Sequence, residues 1–162
     1  MTDRKGLAGR GAVVARPGYH ELQLWYPLLR LREEGFDVAV LGGERAEYLG
    51  AVGYPVIPDL SFADTAQAAF DVIVVPGTVP GAQAAKAASA KAASAAGYDG
   101  LAQIVSRSAI AAAIGDGVRL LEELGDGTGR DGALITAASA DDLPQLMTNV
   151  LAALAAKEAA LS

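Results

Sequence analysis

The segment Phe70-Asp71-Val72-Ile73-Val74-Val75-Pro76-Gly77 decides the fold class. Its Val/Ile run shows no polar alternation, which fits a strand covered on both faces, as parallel sheets require. Pro76-Gly77 ends it. Upstream, Gly11-Ala12-Val13-Val14-Ala15 reads as a buried strand closed by Arg16-Pro17-Gly18, and Asp37-Val38-Ala39-Val40-Leu41 as another closed by Gly42-Gly43. A helical pattern from His20 to Glu34 lies between them, with Leu22, Trp25 and Leu29 on one stripe that Tyr26 and Leu28 widen. Pro27 is expected to kink this helix or restrict its regular part, and Gly35 to end it. Strand, helix, strand, loop, strand opens a three-layer, flavodoxin-like α/β fold, a mostly parallel sheet with helices on both faces.

Farther along, residues 44–59 are irregular around a short Val56-Ile57 extension. Residues 81–97 are alanine-rich and read as a weakly packed helix or a flexible segment. Leu101–Arg107 is helical in pattern, while Ala109–Ile114 suits helix or strand equally on composition. Gly115-Asp116-Gly117 breaks that run before a helix over Val118–Leu124. Gly125 to Gly132 is a turn-rich connector, and Ala133–Thr136 a short strand. A final helix runs toward Leu161, with Asp141 or Asp142 as its cap and Pro144 in its first turn. One domain over 1–162 accommodates all of this.

Composition narrows the function classes. Of 162 residues, 52% are hydrophobic and 20% charged, enough apolar content for a core and against global disorder. The net charge of -6 and the absence of clustered Lys and Arg argue against nucleic acid as a partner. No apolar run reaches membrane-spanning length and the first residues lack a signal-peptide pattern, so a cytoplasmic location is the expectation. The chain has no cysteine and one histidine, His20. Disulfides, thiolate metal sites and cysteine nucleophiles are thereby removed, and His20 is left as the one side chain whose ordinary titration lies near neutrality. No metal site and no cofactor is expected.

Three segments together resemble the ThiJ/PfpI family of the class I glutamine amidotransferase-like superfamily. They are Pro17-Gly18-Tyr19-His20-Glu21-Leu22-Gln23-Leu24-Trp25-Tyr26-Pro27 running on to Val38; Gly53-Tyr54-Pro55-Val56 with Asp59 and then Phe70 to Gly77; and Asp131 to Thr136 followed by Asp141-Asp142-Leu143-Pro144. The resemblance implies the family's fold, and it implies self-association, a homo-oligomer with a dimer as the simplest form. The family's Ala-Ile-Cys-His-Gly elbow corresponds here to Ala113-Ile114-Gly115-Asp116-Gly117, so glycine replaces the nucleophile and aspartate the histidine. The acidic partner of the thiol corresponds to Gln23, and the Pro-Gly-Gly loop to Pro76-Gly77-Thr78. A piece about as long as a βα unit is missing near residues 125–132. Thiol-dependent peptidase, deglycase, glyoxalase or isocyanide-hydrating activity is therefore not expected.

What remains is non-covalent acid–base chemistry on a small organic molecule: hydration or dehydration, isomerisation, or cyclisation. His20 would move the proton, with Asp116 and Glu21 as orienting or partner acids. Tyr19, Gln23, Gly77, Thr78 and Gly115 would bind the substrate, backbone N–H groups near Gly77 and Gly115 stabilising developing negative charge. The bland alternatives are a solvent-facing His20, an Asp116 that only caps its helix, and a Glu21 that complements the helix dipole. On those readings the chain is an inert binding or assembly module.

Overall fold

The computed structural model describes residues 9–65, 67–79, 99–124 and 133–161. Strands β1 (Gly9–Val14), β2 (Phe36–Gly42), β5 (Leu60–Ser61), β6 (Val72–Val75), β7 (Ile110–Ile114) and β8 (Ala133–Ala137) form one sheet in the order β5-β2-β1-β6-β7-β8. Every pairing in it is parallel. A two-stranded antiparallel sheet of β3 (Tyr48–Leu49) and β4 (Pro55–Val56) stands apart from it. The helices are α1 (Glu21–Glu33), α2 (Asp99–Arg107), α3 (Asp116–Glu123) and α4 (Leu143–Leu161). The expected α/β flavodoxin-like architecture is therefore present.

Alternation along the strands sorts the core into two layers, because successive strand side chains face opposite ways. Val13, Val38, Val40, Val72, Val74 and Ile114 pack against Leu24, Leu28 and Leu31 of α1 and Leu146, Met147 and Val150 of α4. Ala12, Val14, Ile73, Val75, Ala111 and Ala113 face the other way, against Leu101, Ile104 and Val105 of α2 and Leu120 and Leu121 of α3. Each fully buried leucine contributes about 1.5–3 kcal/mol of apolar burial.

Several local expectations need correction. Where composition left Ala109–Ile114 open, Ile110–Ile114 is a strand: β6 and β8 flank it, and backbone pairing on both sides outweighs alanine's preference for helix. Helix α1 passes through Pro27 without a break, although Pro27 has no N–H to give the Gln23 carbonyl four residues back. Helix α3 begins at Asp116, two residues before the expected start, and β6 begins at Val72 instead of Phe70. A 3₁₀ turn over Ala140–Asp142 precedes α4, which starts at Leu143 with Pro144 in its first turn. The alanine-rich segment 81–97 and the connector 125–132 lie outside the described residues.

The strand order places the site. The chain moves from β1 outward to β2 and β5, then returns to β6 on the other side of β1. In open parallel sheets the crevice at such a reversal, beyond the carboxyl ends of the strands, is where ligands bind. Here those ends carry Arg16 to Glu21 after β1, Pro76 to Thr78 after β6, and Gly115-Asp116 after β7. Among the described residues, no helix is long and apolar enough to cross a membrane.

Candidate functional site

Gly77 is the centre of the cluster. Its carbonyl accepts the His20 backbone N–H at 2.9 Å, and its own N–H donates to Gln23 Oε1 at 2.7 Å. A Cβ at Gly77 would stand 2.8 Å from Gln23 Oε1 and 3.0 Å from the Ile114 carbonyl oxygen, so glycine is required by close approach. Gln23 is 6% exposed. It is a buried acceptor for a backbone donor that would otherwise be unpaired, at a cost of about 1–3 kcal/mol.

Gly115 turns the chain from β7 into α3 with φ 57° and ψ −127°, a conformation that side chains rarely adopt. The elbow therefore keeps its strained shape with no side chain to present. A Cβ there would meet only the Ala138 carbonyl oxygen at 3.7 Å and Gly77 Cα at 3.9 Å, ordinary contacts. The Gly115 N–H donates to the Ala137 carbonyl at 2.9 Å. Both N–H groups expected to stabilise negative charge, at Gly77 and Gly115, already have acceptors in the protein.

Asp116 is the first residue of α3, and Gly115 holds the cap position, so the capping reading of Asp116 is corrected. Its partner is a residue that sequence reasoning passed over. Arg16 Nη2 donates to Asp116 Oδ1 at 2.9 Å and to the Pro76 carbonyl at 2.7 Å. The Thr78 N–H donates to Asp116 Oδ1 at 2.8 Å, and the Thr78 hydroxyl donates to Oδ2. Arg16 is 9% exposed, and the Asp116 side chain 40%. A guanidinium so far removed from water requires a charged partner and further acceptors, which Asp116 and Pro76 supply. The one sequence signal was a lone arginine directly after an apolar strand, a place where a turn was the simpler reading.

His20 precedes α1. Its Nδ1 is buried with no hydrogen-bond partner, and no hydrogen bond joins its imidazole to Asp116 among the described residues. Glu21 faces elsewhere. Its Oε1 accepts the N–H of Val52 at 2.8 Å and of Tyr54 at 3.4 Å, fastening the 50–54 loop to the first turn of α1. Tyr19 also serves that loop: it is 1% exposed and donates from its hydroxyl to the Tyr54 carbonyl at 2.7 Å. Burial holds the Tyr19 phenol above its ordinary range, with the Glu21 carboxylate adding to the effect. The structure thus gathers Gln23, Gly77, Thr78, Gly115 and Asp116 around the elbow with His20 alongside. It assigns Tyr19 and Glu21 to holding the neighbouring loop.

Comparison with known proteins bears on the lineage and the fold. The DJ-1/PfpI family profile matches residues 10–131. A deglycase of Thermococcus kodakarensis is 38% identical over 65 residues, covering 40% of this chain and 39% of that protein. A Pyrococcus furiosus deglycase, PfpI, is 37% identical over 59 residues, 36% of each chain. The matched stretches span under half the length of these curated relatives. Among solved structures, Drosophila melanogaster DJ-1beta superposes with a TM-score of 0.74 at 22% identity, over 93% of this chain and 92% of that one. A THiJ/PfpI family protein from Pseudomonas syringae gives a TM-score of 0.76 at 16% identity, covering 95% and 75%. At these identities the structures speak for the fold and the profile for the lineage. Matched by that profile over most of its length and folded as the family folds, the chain belongs to the DJ-1/PfpI family, as a member that contains no cysteine.

Proposed function

We propose that this protein acts on a small organic molecule at the elbow without forming a covalent bond to it, and that His20 is the group that handles the proton. One observation carries the reading: beside an elbow where Asp116 and Gln23 have partners, the His20 Nδ1, like the Arg16 Nε, is buried and unpaired, and of the two only an imidazole gives up and takes back a proton. An unpaired buried nitrogen costs stability, and a ligand or a transferring proton would occupy it. Asp116 and Glu21 serve in this reading as positioning residues, Asp116 by fixing the 76–78 loop and Glu21 by fixing 50–54. In this reading Gln23, Gly77, Thr78 and Gly115 line the substrate's place at the elbow, and Tyr19 acts through the 50–54 loop that it holds. With those backbone donors occupied, acyl-type chemistry through a tetrahedral oxyanion is disfavoured, and proton transfer by His20 is the chemistry proposed.

The test is α-proton exchange in D₂O over a panel of small aldehydes and ketones, followed by proton NMR for wild type and His20→Asn. A turnover that disappears in the variant while the fold is retained supports the proposal. Equal exchange rates for the two proteins, or none with either, would refute it.

A second reading, an inert binding or assembly module, is favoured by the occupied donors and by an apolar stripe. Leu22 and Leu29 on α1 are 51% and 58% exposed, and Val52 and Tyr54 beside them 84% and 58%. Such a stripe suits a homodimer contact. Sedimentation of wild type against Leu22→Lys/Leu29→Lys decides whether this stripe is the contact: a wild-type dimer that the variant dissociates places it there.

A further inference from the structure

The main sheet ends differently on its two sides. At one edge β5 is only two residues long and is followed by a 3₁₀ turn over Ala63–Thr65. At the other, β8 pairs with β7 along all five of its residues, and no strand lies beyond it among the described residues. Natural edges of that length are guarded by a lysine, a proline or a bulge, because their free backbone groups recruit other strands. Ala133-Leu134-Ile135-Thr136-Ala137 carries no charge, no proline and no glycine, and Leu134 is 37% exposed.

One bond shows which backbone groups face outward. The Ala137 carbonyl accepts the Gly115 N–H, so the peptide groups of Ala137 face β7. Along a strand these groups change sides from one residue to the next. Ile135 therefore also faces β7, while Leu134 and Thr136 turn both N–H and C=O to the free edge. The side chains of Ile135 and Ala137 pack, half-buried, against the core layer under α4. Those of Leu134 and Thr136 lie on the opposite face and are exposed.

We propose that this edge pairs with the β8 of a second copy, antiparallel about a two-fold axis at Ile135. Leu134 of one copy then stands opposite Thr136 of the other, and the two exchange both N–H···O=C bonds. The axis repeats the exchange, so every outward N–H and C=O of both edges is used. On the exposed face each leucine lies beside the other copy's threonine, an apolar contact with a β-branched neighbour. A second copy is the occupant because the edge is self-complementary in this register and the two-fold closes the assembly. Two chains of net charge -6 also approach most readily along an uncharged strand. The joint uses neither the elbow nor the exposed stripe on α1.

Amide exchange in the wild type, followed by NMR over a range of protein concentrations, reads the joint residue by residue. The Ile135 amide, bonded to β7, should be protected at every concentration. Those of Leu134 and Thr136 should slow by about tenfold or more as the dimer forms, with sedimentation reporting the mass. Thr136→Pro removes an outward N–H without touching the β7 ladder, and should weaken the dimer about tenfold or more. Leu134→Lys should weaken it similarly without altering the backbone. The register has its own test, since the chain has no cysteine. Opposed residues at such an axis have Cα atoms about 4.5 Å apart, within disulfide reach. Ile135→Cys should therefore oxidise to a covalent dimer, and Leu134→Cys, which faces Thr136, should stay largely unlinked. The proposal is overturned by a chain that stays monomeric at about 100 μM. It is equally overturned if Leu134 and Thr136 are protected independently of concentration, which would mean that the chain covers its own edge. A dimer that Leu134→Lys and Thr136→Pro leave as tight as wild type would place the contact elsewhere and overturn it too.

Discussion

Arg16 and Asp116, one hundred positions apart in sequence, meet at 2.9 Å across the elbow, and their pair fills the polar space beside a glycine that has no side chain to offer. The two partners are unequal in burial, and the consequences of removing them should be unequal too. Asp116→Ala leaves a buried guanidinium uncompensated and should cost about 3 kcal/mol. Arg16→Met leaves a half-exposed carboxylate still bonded to Thr78, and should cost about 1 kcal/mol. Urea unfolding midpoints measure both; equal losses would show that the pair is not held as described.

The elbow glycines should separate steric from conformational demand. Gly115→Ala meets no close neighbour but must adopt φ 57°, at a cost of about 1–3 kcal/mol. Gly117→Ala pushes its methyl into the Val75 carbonyl oxygen, a backbone atom that cannot swing aside. It should exceed the Gly115 variant in thermal destabilisation and is expected to lower the yield of folded protein.

Gln23 is expected to matter through the Gly77 N–H it accepts. Gln23→Ala removes the acceptor and opens a cavity, costing about 2–4 kcal/mol. Gln23→Glu keeps an acceptor oxygen but buries a carboxyl, whose folded-state pKa should rise. Its stability is then full below about pH 4.3 and falls as the pH climbs toward the raised value. Thermal melts from pH 4 to 8 on both proteins check this: Gln23→Glu should lose ground to wild type as the pH increases.

Tyr19 gives an alkaline signature. Its phenol titrates above the ordinary 10.0 because the folded protein buries it. A raised folded-state pKa means that its contribution is whole below about pH 10 and is lost as the pH rises through the folded value. Tyr19→Phe should cost about 1 kcal/mol at neutral pH through the lost bond to Tyr54, and the gap to wild type should close above pH 10. Denaturant melts at pH 7 and pH 10.5 compare the two.

The sequence by itself determined strands β1, β2, β6 and β8, the four helices and the loss of thiol chemistry, and the family resemblance placed the elbow. These are local properties: a Val/Ile run, a Pro-Gly stop, a glycine in place of a nucleophile. Gly18 and Gly35, read as turn and helix end, do take positive φ values of 74° and 96°. Ala109–Ile114 is undecidable from composition, since alanine carries no periodic signal, and only β6 and β8 on either side make Ile110–Ile114 a strand. The site's wiring was equally out of reach. Arg16 finds Asp116 across 100 positions, Gln23 finds Gly77 across 54, and Glu21 turns to Val52 across 31. A buried charge or donor takes whichever partner the fold brings within 3 Å, and strand order, which brings the ends of β1, β6 and β7 together, is set by the packing of both sheet faces rather than by the residues that then bond.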